Sequence, residues 1–207
     1  MNRRDFTALM GTTVLAGLWA GSAQPVSAAA LTLDDINTYL RGLTTARGRF
    51  QQINPDGTKS QGTFYLHRPG RMRFEYDAPD PALVVAGGST LAIFDKKSNQ
   101  PPHRYPLKQT PLNVFLERNL DLKDNAFIKD LSATSTSTVV TAEDPEHPEY
   151  GQIKLVFTPN PTELRQWILT DQTGQDTRII LGELTKGETL SSFLFNHHAI
   201  EEELKRR

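Results

Sequence analysis

The sequence predicts a mainly β (α+β) protein built on an up-and-down antiparallel sheet that is either closed or strongly curved. Three observations lead to this reading. Strand-like segments succeed one another with turn signals every ten residues or so. Within them apolar and polar residues alternate, so each segment has one apolar and one wet face. Only 37% of the 207 residues are hydrophobic, which suits a sheet with one face in water. The length accommodates a single domain with a sizeable core.

The clearest segment is Gly62–Tyr76, GTFYLHRPGRMRFEY. Phe64 and Leu66 alternate with Tyr65 and His67, and Met72, Phe74 and Tyr76 alternate with Arg71, Arg73 and Glu75. Between them Pro69 fixes one turn dihedral and Gly70 supplies a positive φ. Arg68 stands at the mouth of this turn, where its guanidinium can reach carbonyls of a neighbouring element or remain an ordinary solvated hairpin arginine. The other expected strands are Gly48–Ile53, Ala82–Ala86, Leu91–Phe94, Phe127–Leu131, Thr138–Ala142, Gln152–Thr158, Leu164–Thr170, Thr177–Leu184 and Thr189–Phe195. The Ser/Thr-rich run Ser132–Thr141 reads as an edge strand with a solvated face.

Two stretches are helical. In Leu31–Leu43, Leu33, Ile36, Leu40 and Leu43 form a stripe at helical spacing, and Thr32 with Asp35 resembles a capping box. Thr110-Pro111 then pairs an N-cap residue with a first-turn proline. Leu112, Val114, Phe115 and Leu116 follow and cover most of that short helix's circumference. Such a helix needs burial on more than one side. Both a lid on the concave sheet face and a permanent plug in a barrel end satisfy this need.

Residues 1–29 read as an export signal, leaving 30–207 as one domain. Arg3-Arg4 precede Phe6 in a twin-arginine-like start, Ala8–Ala20 is a short diluted apolar run, and Val26–Ala30 offers small residues for cleavage. Thr7 occupies a position where the twin-arginine pattern prefers leucine, so the general secretory route fits as well.

Composition removes several function classes. Without cysteine there is no disulfide framework, thiolate metal site, cysteine catalysis or lipid-modified cysteine anchor. A net charge of −1 gives no footprint for nucleic acid. No nucleophile elbow, phosphate loop, dinucleotide fingerprint or zinc-protease motif occurs, so neither an enzyme nor a bound cofactor is expected. His197-His198 beside Glu201–Glu203 reads as a solvated tail rather than a metal site, because neighbours in a strand point to opposite faces.

Several pieces recur in one order: Phe50-Gln51-Gln52, Gly62-x-Phe64, Arg68-Pro69-Gly70-x-x-Arg73-Phe74-Glu75-Tyr76, Pro79, and Thr110-Pro111-Leu112. They are followed by Asp171-x-x-Gly174-Gln175-x-Thr177-Arg178-Ile179 and Phe193-Leu194-Phe195. From about Leu33 to Phe195 the chain resembles the LolA family of periplasmic lipoprotein carriers. The resemblance implies an unclosed antiparallel β-barrel, a half-barrel of about 10–11 strands, with short helices forming a lid over an apolar cavity. It implies a monomeric periplasmic carrier that accepts triacylated lipoproteins from the inner-membrane transporter LolCDE and delivers them to an outer-membrane acceptor such as LolB. A LolB-like acceptor or an RseB-like sensor on the same scaffold is the alternative.

By the same resemblance Arg68 matches the lid-closing arginine, and Pro111, Leu112, Val114, Phe115 and Leu116 match the lid helix. Phe64, Leu66, Met72, Phe74 and Tyr76 line the acyl cavity. Three positions depart from the family pattern. Ala86-Gly87-Gly88 lacks the usual acidic residue, Met72 stands for an aromatic, and His197-His198 with a charged tail replaces a proline-rich end.

Overall fold

A computed structural model describes residues 30–98, 100–118, 120–123 and 125–206. The expected export signal lies outside them. Helix α1 (Leu33–Gly42) precedes β1 (Thr45–Ile53), β2 (Lys59–His67), β3 (Arg71–Tyr76), β4 (Ala82–Gly87), β5 (Thr90–Asp95) and β6 (His103–Pro106). Helix α2 (Leu112–Leu116) follows. Then come β7 (Ile128–Ala133), β8 (Thr138–Glu143), β9 (Gln152–Thr158), β10 (Glu163–Thr170), β11 (Asp176–Lys186) and α3 (His197–Lys205).

All strands belong to one 11-stranded antiparallel sheet in the order β6-β5-β4-β3-β2-β1-β11-β10-β9-β8-β7. The first strand pairs with the last, yet β6 and β7 remain unpaired edges, so the sheet curls without closing. The Ser/Thr-rich run Ser132–Thr141 is not one edge strand: only Ser132 and Ala133 belong to the exposed edge strand β7, and Thr138–Thr141 open β8, which pairs on both sides and is mostly buried.

The inner face carries most of the core. Phe50, Phe64, Leu66, Met72, Phe74 and Tyr76 meet Ile153, Leu155, Phe157, Trp167, Ile179 and Leu181 from the other wing of the sheet. Helices α1 and α2 lie against this face and add Ile36, Leu40, Leu112, Val114, Phe115 and Leu116. Three register shifts interrupt the sheet, one of them in edge strand β7 between Ile128 and Asp130, and the other two set which residues of β10 and β11 face in. One lies between Leu164 and Gln166 of β10, the other opposite Gly48/Phe50 in β11. An extra residue in one strand reverses the alternation beyond it. Glycine 62 has a steric duty here. A Cβ at this position would lie 2.1 Å from the Glu75 carbonyl oxygen and 2.8 Å from Cε1 of Phe50. The absence of a side chain lets the Phe50 ring settle across the strand against Phe74 and Tyr76, at centroid distances of 4.9 and 5.1 Å.

Helix α1 is fixed at its N-terminus. Thr32 and Asp35 form the anticipated capping box, and the Leu31 amide donates to Thr138 Oγ1 of β8 at 3.0 Å. On its inner side Asn37 is buried. Its Nδ2 donates to Asp121 Oδ1 at 2.8 Å and its Oδ1 accepts from the Leu122 amide at 2.9 Å. One amide side chain therefore ties α1 to the segment that follows α2.

Three further expectations need correction. Thr189–Phe195 is not a strand: its end forms a 3₁₀ turn, Ser192–Phe195. Phe195 and Ile200 are buried there with Leu83, Val85, Ala92 and Phe94 on the outer face of the sheet. The outward-facing positions of β4 and β5 are apolar, so this wing needs cover on both sides. His197-His198 and the following acids are not a solvated tail but helix α3, which supplies that cover. Asn196 caps it by accepting from the Ala199 amide, His197 Nε2 donates to the Val85 carbonyl at 3.2 Å, and Glu201 pairs with Arg104 of β6. Thr110 does not cap α2, because its hydroxyl donates backwards to the Leu107 carbonyl at 2.8 Å.

Two substitutions test this packing. Gly62→Ala forces a Cβ into backbone and ring and is expected to lower stability by about 1–3 kcal/mol, seen as a lower denaturant midpoint. An unchanged midpoint would contradict the close approach. Asn37→Ala strands the buried Leu122 amide, at a cost of about 1–3 kcal/mol. Faster hydrogen exchange at 120–123 is the expected signature, and unaltered protection there would show that Asn37 is not the tie.

Candidate functional site

The candidate site is the concave interior together with the turn that fastens its cover. All five residues expected to line a cavity, Phe64, Leu66, Met72, Phe74 and Tyr76, point into the inner core and are buried. They alternate as the period of two requires, on β2 and β3, with Leu66 opposite Met72 and Phe64 opposite Phe74. Tyr76 closes the row. Its hydroxyl donates to Gln52 Oε1 at 2.5 Å, and burial, reinforced by the Asp80 charge, pushes the phenol well above its ordinary pKa.

From above, α2 fills the bowl. Pro111 sits at its start with φ −64°, and Leu112, Val114, Phe115 and Leu116 are all buried. Phe115 reaches deepest. Its ring lies 5.5 Å from Trp167, which in turn touches Phe64 at 5.4 Å and Phe74 at 5.9 Å. The interior is thus occupied by the cover's own side chains. The open spaces lie at the rim, on either side of the Arg68-Pro69-Gly70 turn. One hollow of about 550 Å³ is bounded by Leu40, Arg68, Arg118 and Leu120. The other, of about 760 Å³, is bounded by Gly70, Arg71, Leu107, Leu116 and Arg118.

The turn between these hollows binds both helices through backbone carbonyls. Arg68 Nη1 donates to the Leu40 carbonyl of α1 at 2.5 Å, and Nη2 donates to the Glu117 carbonyl just past α2 at 3.2 Å. The Gly70 amide, at φ 72°, donates to the Leu116 carbonyl at 2.9 Å, and the Arg68 amide donates to the Thr44 carbonyl at 2.7 Å. Carbonyls at a helix C-terminus lack intrahelical partners and carry partial negative charge, so a guanidinium fork is well matched to them. The Arg68 cation also lies over the Phe115 ring, 5.7 Å from its centroid. Burial lowers the Arg68 pKa, and no carboxylate is paired with it among the described residues. The charge is balanced by carbonyl dipoles and a ring face alone, interactions that break without leaving an acid behind.

Three contributors escaped the sequence reading. Asn37 looked like one polar residue of an amphipathic helix. Gly70 was read for its φ and not for its amide. Trp167 was hidden by the β10 bulge: strict alternation from Leu164 puts Gln166 and Ile168 inside, whereas the extra residue turns Trp167 inward. Its size and aromatic character were the available signal.

Comparison of the sequence with known proteins identifies a family. Residues 41–198 match the family model described as outer membrane lipoprotein carrier protein LolA. The chain is 29% identical over 179 residues to the outer-membrane lipoprotein carrier protein of Dechloromonas aromatica, covering 83% of this chain and 85% of that relative. It is 34% identical over 116 residues to the protein of the same name from Cupriavidus necator, covering 51% and 54%. Among solved structures, a LolA superfamily protein from Nitrosomonas europaea aligns at 9% identity and TM-score 0.46, over 81% of this chain and 98% of that one. The Pseudomonas aeruginosa MucA/MucB complex aligns at 16% identity and TM-score 0.44, over 79% and 60%. With a family match that spans residues 41–198, the whole sheet and α2, this chain belongs to the LolA family of outer membrane lipoprotein carrier proteins.

Proposed function

We propose that this chain is a periplasmic carrier for triacylated lipoproteins. It accepts them from the inner-membrane transporter LolCDE, shields their acyl chains in the bowl beneath α1 and α2, and passes them as a monomer to an outer-membrane acceptor such as LolB. The observation that carries the reading is a large apolar interior roofed by helices that are fastened through carbonyl hydrogen bonds from Arg68 and Gly70.

The energetics favour transfer over storage. Each buried methylene is worth ~0.8 kcal/mol, so three acyl chains in an empty dry pocket gain tens of kcal/mol and would scarcely leave. Here Leu112, Val114, Phe115 and Leu116 already fill the space. An incoming chain exchanges one apolar contact for another, which cancels much of that gain. Opening also severs the Arg68 bonds, at roughly 1.5–3 kcal/mol for charge-assisted contacts. Both terms raise the energy of the loaded state and ease unloading. Arg68 is accordingly proposed to close the cover, and Phe64, Leu66, Met72, Phe74 and Tyr76 to contact the acyl chains.

The direct test is addition of the protein to inner-membrane spheroplasts carrying a triacylated lipoprotein. Appearance of a soluble one-to-one complex is expected, and no release by folded monomer would refute the carrier reading. In the same assay Arg68→Leu should capture lipoprotein normally and release it to acceptor membranes poorly, since the closing contact that opposes cargo is gone. Normal release by this variant would exclude a closing role for Arg68.

A further inference from the structure

A fully buried aromatic of the inner core holds a polar atom with nothing to bind among the described residues. Trp167 is fully buried, and its Nε1 has no hydrogen-bond partner among the described residues. Its ring neighbours are Phe64, Phe74 and Phe115, which offer an N–H donor at most a weak ring face. A water placed here would need two to four polar partners, and these rings supply none. An orphaned buried donor costs free energy and calls for a cause. The contrast with Tyr76 in the same aromatic cluster is informative, because its hydroxyl is satisfied by Gln52.

Only one of the three rings belongs to the cover. Phe64 and Phe74 are fixed in β2 and β3, whereas Phe115 projects from α2, beneath the Arg68 guanidinium. Withdrawal of α2 removes Phe115 and bares the indole toward the entering group. Hydrocarbon tails have no acceptor. The acceptor that accompanies them is the carbonyl oxygen of the ester or amide that joins each acyl chain to its head group.

We propose that Trp167 is a specificity-determining residue of the acyl site, and that its indole N–H donates to an acyl ester or amide carbonyl of the cargo once Phe115 withdraws. This rests on the carrier reading and adds to it a means of distinguishing acylated cargo from other apolar molecules. The unsatisfied donor of the closed state is satisfied only by a chain that brings its carbonyl.

The sequence makes the test clean. The chain has two tryptophans, Trp19 and Trp167, so Trp19→Phe in the full chain leaves Trp167 as the sole indole reporter. Two probes are titrated by calorimetry, a readout that variants without the indole share, with its fluorescence as a second signal: a synthetic lipopeptide with a free amine and two palmitoyl esters on its glyceryl group, and the di-O-hexadecyl ether counterpart without ester carbonyls. The ester probe should bind roughly tenfold more tightly, the ratio expected for one hydrogen bond to an otherwise stranded donor. Biosynthetic replacement of Trp167 by benzothienylalanine keeps the ring shape and removes the N–H. It should bring the ratio to about one, and Trp167→Phe should do the same where it folds. Equal binding of the two probes by the Trp167 protein would overturn the proposal, as would a preference that survives benzothienylalanine. Binding of neither probe would remove the carrier reading itself and this proposal with it.

Discussion

An antiparallel sheet that curls but does not close leaves an apolar concave face that must be covered by something other than strands. That constraint governs the rest of the molecule. Strands β6 and β7 never meet, and the chain between them supplies α2, while α1 is delivered ahead of β1. Helix α2, only five residues long, could not hold its position on its own. Attachment of the two helices falls to the 68–70 turn, which reaches α1 through Leu40 and α2 through Leu116 and Glu117. Asn37 completes the cover by joining α1 to Leu122.

The contrast between the two sides of the sheet fits a division of labour. On the outer face, Phe195 and Ile200 pack into β4 and β5, Arg104 pairs with Glu201, and Arg73 Nη1 donates to the Leu194 carbonyl at 3.1 Å. That side is stapled by charge and by a nine-residue helix. On the inner side, the fastening at the 68–70 turn is a guanidinium and an amide on carbonyls, with hollows on both flanks, and α1 adds the Leu31 amide on Thr138. Groups with few buried polar ties open at lower cost than the sheet beneath them. A cover of this kind suits repeated loading and unloading, in which apolar surface is exchanged rather than newly buried.

Much of this was legible in the sequence, and the reasons differ by element. Regular alternation in Gly62–Tyr76 placed Phe64, Leu66, Met72, Phe74 and Tyr76 on one face, because β2 and β3 pair there without a bulge. The all-round apolar character of Leu112–Leu116 announced a helix buried on several sides. Bulges defeated the same logic in β10, where Trp167 turned inward. Thr189–Phe195 mimicked a strand because its apolar Leu194 and Phe195 serve the outer face of the sheet from a 3₁₀ turn. Strand β6 gave no signal, being four exposed residues next to prolines that pair only with β5. The closure itself combines local and distant parts. Arg68 was visible at its turn, but its carbonyl partners lie 28 and 49 residues away and depend on the completed fold.

In the proposed carrier, cargo enters by breaking the fastening between the 68–70 turn and the cover. The Gly70 amide, bonded to the Leu116 carbonyl, reports on this directly. Its hydrogen exchange should be slow in the empty protein and should accelerate at least tenfold when a triacylated lipopeptide is bound, while amides of β2 and β3 keep their protection. Equal protection of Gly70 in the empty and loaded states would mean that the cover stays fastened during loading, and would contradict the account.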